Sequence, residues 1–214
     1  MSGILSRGLF DAPVRRRVFF SFHYQNDIWR VNQVRNSWRF QNEATREAEG
    51  FFDASLWESS QRRSAESLKE LIRTGMENTS VTAVLVGSDT FQRRWVRYEI
   101  ARSIIKGNGL IGVQIHLLGD RLGNATTQGP SPFECLGLYR TTDGRVLLAE
   151  KNGQSWVAYA DYTQGLTLPA TWSAPRDNNV VPLSRYAATH CYVRNSGQTN
   201  FSSWVSNAAA AVGR

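Results

Sequence analysis

A tryptophan and a glutamate, Trp95 and Glu99, stand four residues apart in FQRRWVRYEI, residues 91–100, among Arg93, Arg94 and Arg97. On a helix, residues four apart share a face. The apolar stripe of this segment runs through Val96, Ile100 and Ile104. Glu99 lies about 60° from Val96 at the helical spacing of ~100° per residue, so it borders the core instead of pointing fully outward. A carboxylate there is either a boundary charge paired with a nearby arginine or a site group that can stabilise positive charge. His23 and Tyr24 end one apolar run, and Asp53 ends another, ahead of Ala54, Ser55, Leu56 and Trp57. Each reads by itself as a loop start or a turn cap. These two ends, together with the segment that follows Val86, would form a site if they met on one rim.

Other chemistries find little support. GNGLIG, residues 107–112, is a literal G-x-G-x-x-G. The dinucleotide fingerprint must follow a strand and open a helix, whereas this one follows a helical pattern and leads into a strand. It reads as a helix C-cap and turn. Neither of the two cysteines, Cys135 and Cys191, belongs to a C-x-x-C pair, and His23, His116 and His190 are far apart without an H-E-x-x-H. No metal site is expected.

The elements that must position these residues alternate in kind. Val18–Phe22 is a short apolar run suited to a strand buried on both faces. A helical stretch follows over about 28–40, then a second strand, Gly50–Asp53. Apolar spacing at Ala65, Leu68, Leu71 and Ile72 predicts a helix over 62–76. Val81–Gly87 is the clearest strand, a helix follows over 92–106, and Leu110–Ile115 is a fourth strand. Strand–helix alternation predicts an α/β domain with a parallel sheet. Ligands of such sheets bind beyond the carboxyl ends of the strands. That rule places His23 and Tyr24, residues 53–57 and residues 88–95 around one rim.

Residues 119–132 read as a loop. Asn152-Gly153 between short apolar runs, 145–150 and 155–159, is a hairpin signal. Residues 163–182 carry Pro169, Pro175 and Pro182 and read as irregular, and 201–212 as a terminal helix. The expected organisation is a leader over 1–14, an α/β domain over 15–137, and a C-terminal extension over 138–214 that contains the hairpin and packs on the core. The 214 residues are 41% hydrophobic and 20% charged, enough for a real core, with a formal net charge of +7. The basic balance favours anionic partners, or serves solubility alone. No apolar run approaches the roughly 18 residues of a membrane span, and no signal peptide is evident. The expected setting is the cytoplasm.

Taken together, several segments resemble TIR domains. RVFFSFHYQND is similar to the first-strand box of that family, where a strand ends in Phe-x-Ser-Tyr and an acid follows shortly. FFDASLW resembles the second strand and its loop. VTAVLVGSDTFQRRWVRYEI resembles the third strand and the box that carries Trp95 and Glu99. The nearer likeness is to the bacterial TIR-like subunit of Thoeris anti-phage defence, over residues 17–137 and only weakly beyond.

The resemblance implies a flavodoxin-like, TIR-type parallel sheet with helices on both faces. It implies cleavage of NAD at the nicotinamide–ribose bond, with Glu99 as the catalytic residue and NAD as substrate instead of a resident cofactor. Cyclisation would give a cyclic ADP-ribose isomer, a diffusible signal to a Thoeris effector subunit that depletes NAD. The pocket is expected to involve Phe19, Ser21, His23, Tyr24, Asp53, Trp57, Arg94 and Trp95. A phage-derived trigger protein and self-assembly are further partners that it suggests. A membrane is not expected, and nucleic-acid binding would draw only on the charge. Arg17 stands where the family often has an acid, and the loop after the second strand lacks the common proline–glycine pattern. The rival expectation is a non-catalytic interaction or sensor module in which Glu99 is structural.

Overall fold

A computed structural model of the chain describes residues 16–41, 64–176 and 179–214. The strand expected at Gly50–Asp53 and the leader lie outside these residues. The described elements run β1 (Val18–Phe22), α1 (Tyr24–Gln41), α2 (Ala65–Gly75), β2 (Val81–Val86), α3 (Arg94–Lys106) and β3 (Gly109–Gln114). Then come β4 (Leu136–Arg140), β5 (Val146–Asn152), β6 (Ser155–Ala158), β7 (Val181–Pro182), β8 (Ala188–Cys191) and α4 (Gly197–Ala210). Strands β1, β2, β3 and β8 form one sheet in that order, every pair parallel.

Strands β1, β2 and β3 are buried on both faces, which explains their largely apolar runs. Successive side chains alternate between the faces. Val18 and Phe20 of β1 join Val81, Ala83 and Leu85 of β2 beneath α1 and α4. Phe19 faces the other way, onto Leu68 and Ile72 of α2 and Tyr98 of α3. Val84 and Val86 pack on Val96, Ile100 and Ile104 of α3. Helices thus cover both faces, with α1 and α4 on one and α2 and α3 on the other.

The antiparallel sheet, in the order β6-β5-β4-β7, shares the α3 side of the core through Leu136, Leu138, Val146 and Leu148. Its β5–β6 hairpin turns at Gly153 and Gln154, with Asn152 opposite Ser155 and Gly153 at φ +60°. The glycine-rich run 107–112 is the end of α3 and the start of β3. Gly107 adopts φ +74°, and its N–H and that of Asn108 return to the carbonyls of Ile104 and Ser103. Only glycine accepts that left-handed turn without strain.

Boundaries shift where polar residues hide a helix start. Helix α1 begins at Tyr24 and not near residue 28, because the Asp27 N–H already reaches the His23 carbonyl at 3.1 Å. Helix α3 begins at Arg94, after a 3-10 turn at Thr90–Gln92. Helix α4 starts at Gly197, four residues before the first core aromatic, Phe201.

Phe201 is 1% exposed and contacts Phe20 and Trp38 at ring distances of 6.0 and 5.3 Å. It therefore ties α4 to the sheet and to α1. Phe201→Ala is expected to lower unfolding free energy by about 3–5 kcal/mol, the range for a buried phenylalanine truncation. Chemical denaturation would check this, and a loss under about 1 kcal/mol would mean that α4 contributes little to the core.

Candidate active site

The carboxyl end of β1 and the first turns of α3 enclose a cavity of about 300 Å³. His23, Tyr24, Gln92, Arg93, Arg94, Trp95 and Glu99 line it, with Phe22, Gln25 and Val96. Topology alone accounts for the place. Strands β1 and β2 are parallel neighbours, and the segments leaving their carboxyl ends, α1 and the 87–93 turn, diverge around a crevice.

Glu99 forms the buried floor. Helix α3 lays Val96, Ile100 and Ile104 on the sheet, so the intervening turn carries Glu99 against β1. Its side chain is 3% exposed, and the Ser21 hydroxyl donates a hydrogen bond of 2.5 Å to Oε2. Burial pushes the Glu99 carboxyl up to about 8, against a smaller opposing effect of the Ser21 bond. An empty site therefore favours the neutral acid near pH 7. A cation brought beside it favours the carboxylate.

The first turn of α3 forms the wall. No side chain caps this helix. Its leading N–H groups lack intrahelical acceptors, and residues 92–96 line the cavity, so the positive end of the helix faces the space. Such an end suits an anionic group. Arg94 adds a guanidinium that lies 5.1 Å over the Trp95 ring, and Trp95 packs edge-on against Tyr98 at 5.8 Å.

His23 is 8% exposed, and its buried Nδ1 has no hydrogen bond among the described residues. Burial, and after it the charge of Arg93, hold its pKa below the usual histidine value, so the imidazole is neutral at pH 7. An unsatisfied nitrogen at a cavity wall can accept or donate one bond to a bound molecule.

Among the residues expected at the site, His23, Tyr24, Arg94, Trp95 and Glu99 meet in this cavity, and Ser21 supports its floor. Phe19 is not brought there; it is fully buried between β1, α2 and α3. Asp53 and Trp57 lie outside the described residues. Arg93, within the rim segment 88–95, lines the wall as well. One contributor went unnoticed in sequence: Asp27 holds the rim from behind.

Asp27 is 1% exposed, with Arg30 Nη1 at 3.6 Å, and burial raises its pKa to about 6. A Cβ on Gly87 would fall 2.2 Å from Asp27 Oδ2, so only glycine lets the strand end approach so closely. Thr90 Oγ1 accepts the Gly87 N–H at 2.8 Å, and Asn26 bonds Asp89 at 3.0 Å. The start of α1 thus fixes the turn that delivers α3. The acid of the YQND stretch was the available signal for Asp27. Among the described residues, no group of three His, Cys, Asp or Glu side chains is placed to hold a metal ion.

The family model of the Thoeris protein ThsB, TIR-like domain, matches residues 19–120. A protein of Bacillus cereus (strain MSX-D12), provisionally named cyclic ADP-D-ribose synthase ThsB1, is 45% identical over 202 residues. The match covers 89% of this chain and 98% of that relative.

The burial of Glu99 has a consequence for stability. Because its folded-state pKa lies above the unfolded value, its contribution is full at low pH and is lost as pH rises from the ordinary glutamate range through about 8. Glu99→Gln removes that loss. The variant is expected to gain on the wild type between pH 5 and pH 9 by a few kcal/mol, at about 1.4 kcal/mol per pKa unit. Denaturation midpoints across pH measure it; parallel pH profiles would show that Glu99 does not titrate in this window.

Proposed function

The chain belongs to the ThsB family of TIR-like Thoeris proteins, and from that premise we propose that it cleaves NAD at the nicotinamide–ribose bond and closes the remainder into a cyclic ADP-ribose isomer. The observation that carries this reading is one buried carboxyl, Glu99, at the floor of a cavity walled by an uncapped helix N-terminus. Breaking the bond between the ribose and the nicotinamide nitrogen builds positive charge on the ribose, in an oxocarbenium-like transition state. A shielded carboxylate stabilises that charge. Nicotinamide leaves as a neutral molecule and needs no general acid.

The raised pKa of Glu99 fits this sequence of events. The nicotinamide ring of NAD is cationic, so its arrival beside the acid favours ionisation. The proton departs as substrate binds, and the carboxylate is present when charge develops. Ser21 donates to Oε2 and fixes the orientation of the group. The helix end and Arg94 suit the pyrophosphate, and Trp95 offers a ring surface.

Cyclisation needs a nucleophile from the same molecule, an adenine nitrogen or a ribose hydroxyl. It attacks the anomeric carbon; a hydroxyl then releases its own proton, whereas attack by an adenine ring nitrogen is balanced by a proton lost from the exocyclic amine. Water would compete for the same carbon, so a closed site favours the ring. In this reading the product is a diffusible signal to a Thoeris effector subunit, made in the cytoplasm when a phage component triggers the protein.

Lysates of phage-infected cells that express the wild type are expected to contain nicotinamide and a product of ADP-ribose mass that resists NAD glycohydrolase. Cells with a folded Glu99→Gln variant are expected to lose both, by roughly a hundredfold or more for a group acting on transition-state charge. Mass spectrometry reads both compounds. An equal yield from the variant would remove Glu99 from the reaction, and no product from either would favour a non-catalytic module.

A further inference from the structure

Asp161 stands in the turn that follows β6, where no motif drew attention to it. The turn is held firmly. The Tyr159 N–H donates to the Leu148 carbonyl at 3.0 Å, and the Tyr159 side chain is 4% exposed in the core that α3 shares with the antiparallel sheet. Tyr162 packs against the same cluster. The backbone therefore fixes where the Asp161 carboxylate sits.

Two long basic side chains reach this carboxylate from different helices. Lys69 of α2 lies 2.9 Å from Oδ1, and Arg94 of α3 lies 3.5 Å from Oδ2. Asp161 and Lys69 are largely covered, with side chains 16% and 20% exposed, whereas Arg94 is 58% exposed. Burial raises the acid's pKa, but Lys69 and Arg94 together bring it below the usual range. Lys69 is thus the close, sheltered partner. Arg94 is the distant, wet one, in the class of ion pair that contributes little and is readily exchanged.

Arg94 also lines the cavity under the positive end of α3. Its guanidinium lies over the Trp95 ring and covers one face of it. The same group can therefore rest against Asp161 or meet an anion in the cavity.

We propose that Asp161 is a positioning residue that parks Arg94 at the rim and yields it to the pyrophosphate of an entering dinucleotide. The inference rests on the reading of the cavity as an NAD site. Lys69 keeps the vacated carboxylate neutralised, so the exchange leaves no bare charge behind. As Arg94 moves, the Trp95 face beneath it is uncovered. Asp161 and the bound anion compete for one guanidinium, and this competition fixes the sign of each substitution.

ADP-ribose is the probe, because it carries the pyrophosphate and lacks the scissile bond. Calorimetric titration of the full chain is expected to show tighter binding by Asp161→Asn, about two- to fivefold, the range of one exposed ion pair. Lys69→Gln is expected to weaken binding by a similar factor, since Asp161 then holds Arg94 alone. Arg94→Ala weakens binding as well, and adding Asp161→Asn to it brings no tightening. Asp161→Glu restores wild-type affinity. Thermal midpoints show that each variant is folded.

Weaker or unchanged binding by a folded Asp161→Asn, with the wild type binding, overturns the exchange and leaves the NAD reading standing. Tightening that persists without Arg94 also overturns it. No binding of ADP-ribose to the wild type overturns both.

Discussion

The arrangement depends on one buried contact, the hydrogen bond from Ser21 of β1 to Glu99 of α3. An acid that is 3% exposed is costly unless it is neutral or bonded, and this one is pushed toward the neutral form while accepting a bond. Its place follows from the packing around it. Val96, Ile100 and Ile104 commit three positions of α3 to the sheet. One turn further, Ser103 bonds Thr82 of β2 at 2.6 Å and the Glu99 carbonyl at 2.7 Å. The helix can neither slide nor roll without breaking a buried polar contact. The register that serves the core is therefore the register that serves the acid.

The rim depends on a second constraint, the close approach of α1 to the end of β2. Gly87 leaves room for Asp27, and Thr90 Oγ1 receives the Gly87 amide. These contacts set the direction in which the chain enters α3 and where its unsatisfied amides point. Electrostatics then follows from geometry. A helix end and two arginines face the cavity, a neutral histidine stands opposite, and the acid lies beneath. The basic net charge of the chain takes on local meaning here, because part of it converges on one space.

Much of this was legible in the residues, for identifiable reasons. Val18–Phe22 and Val81–Val86 are nearly continuous apolar runs, broken only by Ser21 and Thr82, because these strands are covered on both faces. Gly107 marked the end of α3 because the turn requires a left-handed residue. Glu99 stood out as a polar position at the border of an apolar stripe. Strand β8 was invisible, since Ala188-Thr189-His190-Cys191 is short and half polar and gains its place by pairing with β3. Phe19 shows the opposite difficulty. An aromatic ring in a strand box says nothing of which face it takes, and alternation sends it to the α2 side. Asp161 had no signal, because its partners Lys69 and Arg94 lie 92 and 67 residues away in sequence.

Strand β8 and helix α4 show how far the core draws on the end of the chain. Four of the residues packed beneath the sheet, Phe201, Trp204, Val205 and Ala209, come from one helix that ends at Ala210, and β8 covers the β3 edge that would otherwise be open. The antiparallel sheet packs against the opposite side, on the helix that carries Glu99. Both segments therefore belong to the packing that holds the sheet and α3 in place. On the proposed reading this has a chemical consequence. The distance between Glu99 and an anomeric carbon is set by the position of α3, and misplacement of a reacting group by about 1 Å costs on the order of a hundredfold in rate.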